Sequence, residues 1–224
     1  MNIRTLLFGL SLFCVINTHA QSDPGPGNPK ANDPKATSIL NKVSKLYKSY
    51  TSIKSTFTIT TTSGQGKSTS SNGTVWIKGT KYKLDYAGQE ILCNGKFIWT
   101  FNKEDNEVTK EVYKAKDNSI TPNEIFTIYN KDFKSVYEGP TVRDGKTYEV
   151  VKMVSKKKVN YSYIKLEIDK STSKIQRMIQ HYKNGTEITY TIGQFTTNTA
   201  LAENFFDWNA ASHTGVTEVD LTKK

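Results

Sequence analysis

Residues 72–108 read NGTVWIKGTKYKLDYAGQEILCNGKFIWTFNKEDNEV. The pattern predicts four successive strands, each with an apolar row and a polar row. Val75 and Ile77 alternate with Thr74, Trp76 and Lys78, and Tyr82, Leu84 and Tyr86 alternate with Lys81, Lys83 and Asp85. Phe97, Trp99 and Phe101 line one side of the last strand. A period of two sends successive side chains to opposite faces, so a sheet wet on one side and apolar on the other is expected. Ser71-Asn72-Gly73, Asn94-Gly95 and Asp105-Asn106 are expected hairpin turns, because these residues tolerate positive φ.

Outward from this stretch, strand-like runs cover residues 53–62, 74–78, 81–86, 90–93, 97–102, 108–113, 148–154, 161–169, 175–183 and 186–195, with Asp144-Gly145 and Asn184-Gly185 as further turns. Asp33-Pro34 reads as a helix start, a capping carboxylate followed by proline at the first helical position. Ile39, Val43, Leu46 and Tyr50, with Leu40 and Tyr47 beside them, then predict an amphipathic helix over about residues 35–50. Thr121-Pro122-Asn123-Glu124 opens a second, short helix carrying Ile125, Phe126, Ile128 and Tyr129. Strand twist accumulates in a long antiparallel sheet, which buries its apolar face by closing or by accepting helices on its concave side. Two amphipathic helices favour the second outcome: a mainly β domain, an open curved sheet with helices over its apolar face.

The ends of the chain bear on location. Residues 1–20 have the parts of a secretory signal: Arg4, an apolar core over residues 6–16, and Thr18-His19-Ala20 with small residues at the −3 and −1 positions. That core is shorter than the ~17–25 residues a spanning helix needs, and cleavage after Ala20 is expected. Acylation at Cys14 is the alternative, disfavoured by the bulky Phe13 before it. Residues 21–34, QSDPGPGNPKANDP, cannot bury enough surface to offset ordering and read as a flexible spacer. Residues 35–224 then form one domain. The chain carries a formal net charge of +10, and loss of Arg4 with the signal lowers it by one to +9. Lys156-Lys157-Lys158 is a basic run, read as a solvated hairpin tip or as a weak attraction for an anionic surface.

Catalytic and metal-binding signals are missing from this sequence. His181 and His213 have no second ligand at a metal spacing, and Cys93, in Ile91-Leu92-Cys93, reads as a small buried hydrophobe. Gly66-Lys67-Ser68-Thr69 lacks the glycine of a phosphate loop, since Thr61 stands where it is required. Glu104, Asp105 and Glu107 look like turn residues. No enzyme activity, cofactor or metal is expected, and export argues against a nucleic-acid partner. What remains is apolar surface. Phe57, Ile59, Val75, Ile77, Tyr82, Leu84, Tyr86, Ile91, Phe97, Trp99 and Phe101 are expected on one concave face, beneath Val43, Leu46, Tyr50, Ile125, Phe126 and Ile128 of the helices. From the residues alone, these side chains either pack into a dry core or line a cavity.

The order of these elements resembles the LolA-type periplasmic carriers of outer-membrane lipoproteins. The resemblance lies in Gly73 to Lys78 (a Gly-x-hydrophobic-Trp-hydrophobic-Lys strand), the aromatic strand Tyr82 to Tyr86, the Gly-Lys-x-hydrophobic-Trp strand Gly95 to Trp99, and Asn102 to Val108. Ser55-Thr56-Phe57, the segment 121–133, Glu203-Asn204-Phe205-Phe206 and residues 215–220 resemble its other elements. The resemblance implies an unclosed β-barrel with a helical lid over a cavity for acyl chains. It implies acylated lipoproteins as cargo, an inner-membrane ATP-driven transporter as donor, an outer-membrane acceptor, and a monomer working in the periplasm. The sequence departs from the family where an arginine often follows the Trp-strand lysine to latch the lid, because Gly79-Thr80-Lys81 follow Lys78. A lipid-sensing regulatory domain of the same fold and a structural β-domain with a filled core are the alternative readings.

Overall fold

The computed structural model describes residues 33–114 and 132–223. The expected export signal, the spacer up to residue 32 and the second helix, with Ile125, Phe126 and Ile128, lie outside the described residues. The helix α1 spans Pro34–Lys48. Its Asp33 cap accepts the amides of Lys35 at 2.7 Å and Ala36 at 3.4 Å, while Pro34 has no amide to satisfy. The same carboxylate accepts the Tyr137 amide at 3.2 Å, and the Asp33 amide donates to the Ser135 carbonyl at 2.9 Å. Asp33 and Pro34 thus start the helix, as the capping pair in the sequence predicts. Three backbone donors, Tyr137 foremost, hold the Asp33 carboxyl below the usual range.

Twelve strands follow among the described residues: β1 Ile53–Thr62, β2 Ser68–Lys78, β3 Lys81–Tyr86, β4 Gln89–Cys93, β5 Phe97–Asn102, β6 Glu107–Val112, β7 Phe133–Arg143, β8 Lys146–Ser155, β9 Tyr161–Asp169, β10 Ile175–Tyr182, β11 Glu187–Thr197 and β12 Thr217–Asp220. They form a single sheet in the order β12-β6-β5-β4-β3-β2-β1-β11-β10-β9-β8-β7. The first strand lies mid-sheet, antiparallel to β2 and β11, and β12 runs parallel to β6 at one edge. The edges β12 and β7 do not pair, so the sheet is open, the outcome that the expected amphipathic helices favour. No helix among the described residues is long and apolar enough to cross a membrane.

Three details depart from expectation. Ser71-Asn72-Gly73 is no turn but the middle of β2, and the chain reverses instead around Gly66. Gly73 lies opposite Phe57, and a Cβ there would sit 2.4 Å from the Phe57 ring and 2.8 Å from the Asp85 carbonyl. The glycine serves a close approach rather than a positive φ. The second departure is β7, which no alternation signals because Gly139-Pro140 interrupts it. It is an edge strand with a register shift between Tyr137 and Gly139, a setting that tolerates proline. Third, the short β12 turns the expected tail into part of the sheet.

The core lies between α1 and the concave face. Ala36, Leu40, Val43 and Tyr47 of α1 pack in one buried cluster with Ile53, Ile77, Val151, Met153, Leu166 and Ile175 from the strands. The buried stripe is therefore rotated from the expected one. Val43 is in it, Leu46 is only half-buried, and Tyr50 packs at its margin against Phe195 at 6.0 Å.

Candidate functional site: two faces of one sheet

Strand register sorts the predicted residues into two sets. Ile77 stands opposite Tyr82, Val75 opposite Leu84 and Gly73 opposite Tyr86, while Tyr82 pairs with Cys93 and Leu84 with Ile91. Across β1, Ile53 faces Ile77 and Phe57 faces Gly73 and Ile192; Ile59 faces Ser71 and Tyr190. Phe57, Ile59, Val75, Ile77, Tyr82, Leu84, Tyr86 and Ile91 thus share the concave face. Phe97, Trp99 and Phe101 do not. In β5 it is Ile98 that pairs with Cys93 and Thr100 with Ile91, whereas Trp99 pairs with Leu92 and Phe101 with Glu90. The aromatic row of β5 lies on the convex face, as Trp76 does.

That convex row has its own cover. Residues 198–216 leave β11 and cross the outside of the sheet to reach β12. Along this strap, Glu203 pairs with Lys78 and Lys81, Phe205 meets Trp76 edge-on at 5.8 Å, and Asn94 donates to Asp207 at 2.7 Å. Farther along, Trp208 lies 5.2 Å from Phe101 and stacks on His213 at 4.0 Å. Phe206 is 0% exposed, and Leu92, Phe101 and Val108 are buried with the convex rows rather than in the main core. Lysine side chains lie over the aromatics at 4.6–5.6 Å: Lys54 over Trp76, Lys83 over Phe205 and Lys110 over Phe97. Two lysines hold Glu203 down to about 2, against an ordinary 4.5. Where the expected arginine is missing, Lys78 therefore engages the strap, donating also to the Leu201 carbonyl at 3.0 Å.

The concave face is apolar in body and polar at its tips. Tyr47, Tyr82 and Tyr190 have their hydroxyl pKa pushed up by burial, and Tyr190 also feels Tyr182 and Tyr86. Phe57 lies 5.7 Å from Tyr86, and Tyr161 meets Tyr182 at 6.5 Å. Phe57, Tyr86, Tyr182 and Tyr190 are only half-buried, in contrast with the sealed cluster beneath α1. Near β7 the Tyr137 hydroxyl donates to the buried Glu149, which pushes the phenol up to about 12. The cover α1 is tied at both ends: Asp33 to β7, and the Tyr47 hydroxyl, which accepts the Ile175 amide at 3.1 Å. It is thus a fixed roof over one part of the face.

The groups weighed for chemistry lie apart. Cys93 is fully buried, and burial raises its thiol pKa, so it packs as a hydrophobe. His181 stacks on Tyr163 at 4.9 Å on the convex face. Glu104 and Asp105 occupy the β5–β6 turn. Lys156, Lys157 and Lys158 lie between β8 and β9, with Lys157 paired to Asp132 at 3.1 Å. Among the described residues, no group of three or more His, Cys, Asp or Glu side chains is disposed to hold a metal ion. The convex site is the part that sequence reasoning missed. A tryptophan on the expected wet side of β2, Trp76 between Val75 and Ile77, is its signal.

Comparisons with known proteins agree with this geometry. No curated protein matches the chain. Among solved structures, an uncharacterized conserved protein from Thermus thermophilus shares the fold at 13% identity, over 83% of this chain and 99% of that one, with a TM-score of 0.57. LprF from Mycobacterium bovis aligns at 14% identity over 77% of this chain and 98% of its own, with a TM-score of 0.50. A LolA superfamily protein from Nitrosomonas europaea aligns at 16% identity over 77% and 97%, with a TM-score of 0.44. The family model described as outer membrane lipoprotein carrier protein LolA matches residues 48–209. The chain, with its open antiparallel sheet roofed by an N-terminal helix, belongs to the LolA family.

Proposed function

We propose that this protein is a periplasmic carrier that shields the acyl chains of lipoproteins on its concave face, between an inner-membrane ATP-driven transporter and an outer-membrane acceptor. The observation that carries the reading is the half-buried patch of Phe57, Tyr86, Tyr182 and Tyr190, continuous with the buried core, in a chain of the LolA family. Burying an acyl chain is worth about 0.8 kcal/mol per methylene, so a chain of about 14 methylenes costs on the order of 11 kcal/mol to expose. A cargo with two or three such chains needs a shield to cross water. Tyrosine suits a carrier that must also let go, because its ring covers the chain while its hydroxyl keeps the wall less apolar than leucine would. The role needs no covalent step by the protein.

The test is equilibrium binding of a synthetic dipalmitoylated lipopeptide to the delipidated protein, read by native mass spectrometry. Phe57→Glu places a charge among half-buried rings and is expected to weaken binding about a hundredfold while the protein stays folded. Unchanged binding by that variant would remove the concave face from the account. Failure of the parent protein to take up lipopeptide at all would favour a regulatory or structural role for the same fold.

A further inference from the structure

Gln180 lies on the concave face of β10, between Met178 and Tyr182, and pairs across the ladders with Ile164 of β9 and Ile188 of β11. The residue is 3% exposed, yet its amide Nε2 has no hydrogen-bond partner among the described residues. Nearby buried polar groups are paired in two cases: Glu149 of this face accepts from Tyr137, and the Tyr47 hydroxyl of the helix above accepts from the Ile175 amide. Buried donors are nearly always satisfied, and an apolar side chain of similar volume would carry no penalty here. An orphan amide in an apolar wall therefore points to a partner that comes and goes. The neighbouring rings narrow its chemistry. Tyr182, with Tyr161 against it, stands next to Gln180 on the same face, and Tyr190 lies across the ladder from Met178.

Resting on the carrier reading, we propose that the Gln180 Nε2 donates to the carbonyl oxygen of the linkage that joins an acyl chain to its lipoprotein. The hydrocarbon lies along the tyrosine patch, and the linkage carbonyl is the acceptor that such a chain brings with it. The contact fixes where the head of the chain sits and distinguishes acyl cargo from plain hydrocarbon.

Two probes test this on the full mature chain: a synthetic lipopeptide with two ester-linked palmitoyl chains, and its ether-linked analogue, in which each carbonyl is a methylene. The parent protein is expected to bind the ester form roughly five- to tenfold more tightly, the worth of one buried hydrogen bond. Gln180→Leu is expected to erase that preference while still binding the ether form at least as well, and to melt no lower than the parent. An equal ester preference in both proteins would overturn the proposal and leave the carrier reading standing. A sharp loss of melting temperature in Gln180→Leu would also overturn it, because the amide would then have a structural partner. Uptake of neither probe by the parent would end both readings. Dipalmitoyl phosphatidylglycerol supplies the other source of the same carbonyl. A Gln180-dependent preference for it over the lipopeptide would contradict the assignment to a lipoprotein.

Discussion

Aromatic rows run along both faces of this sheet, and the chain treats them differently. On the convex face, Trp76 and Phe101 share their surface with residues 203–213, with lysines stacked over the rings and Glu203 clamped between Lys78 and Lys81. On the concave face, α1 seals one region, while Phe57, Tyr86, Tyr182 and Tyr190 stay half-buried beside it. Apolar content alone therefore does not mark a binding surface. Half-burial itself is common to both rows, since Trp76, Phe97, Trp99 and Trp208 are half-buried too; what sets the convex row apart is the strap rings and lysine side chains laid against it.

Truncation of the strap separates the two roles most sharply. Phe206→Ala removes a fully buried ring and is expected to cost about 3–5 kcal/mol in urea unfolding, with little change in lipopeptide affinity for the protein that remains folded. A large affinity loss at unchanged stability would move function to the convex side. A smaller effect is expected from Gly73→Ala, where the added methyl meets the Phe57 ring and the Asp85 carbonyl. Strain of this kind costs about 1–3 kcal/mol, and the displaced Phe57 should also weaken lipopeptide binding, so both readouts move together. The smallest effect concerns pH. The Glu203 carboxyl is held down to about 2 from 4.5, so its stabilisation is present above the ordinary value and is lost as pH falls through the folded one. Melting temperature should therefore slope downward between about pH 4.5 and pH 2 more steeply in the parent than in Glu203→Gln, and high salt should shrink the difference because the pair is exposed. Identical slopes would show that the strap does not depend on this clamp.

Much of the sheet is legible in the sequence, because alternation and turn residues are local signals. Strands such as β1, β3, β5 and β9 have the predicted bounds, and the capping pair Asp33-Pro34 starts the helix where a carboxylate and a proline should. Parity is the harder matter. Each strand offers two rows, and which one faces inward depends on the count of residues through each turn. In β4, Ile91, Leu92 and Cys93 are all apolar, so nothing in that strand distinguishes its faces, and residues 94–96 carry Ile98 rather than Trp99 to the inside. Assigning the bulkier row of β5 to the core fails because a second, smaller core exists on the other side. The partner that makes that core, the strap, lies far away in sequence. The register of β7 is hidden for another reason. Gly139 and Pro140 look like a loop, and only an edge position with a bulge makes them a strand.

All three tryptophans, Trp76, Trp99 and Trp208, lie on the convex side. This permits a direct test of whether acyl chains bind the opposite face. The measurement is tryptophan emission on addition of a lipopeptide whose acyl chains carry bromine, which quenches at short range, compared between the parent and Phe57→Trp. Little quenching of the parent is expected, with strong quenching of the emission added by the tryptophan introduced in place of Phe57. Quenching of the native tryptophans with the introduced one untouched would place the chains under or beside the strap and contradict the assignment of the concave face.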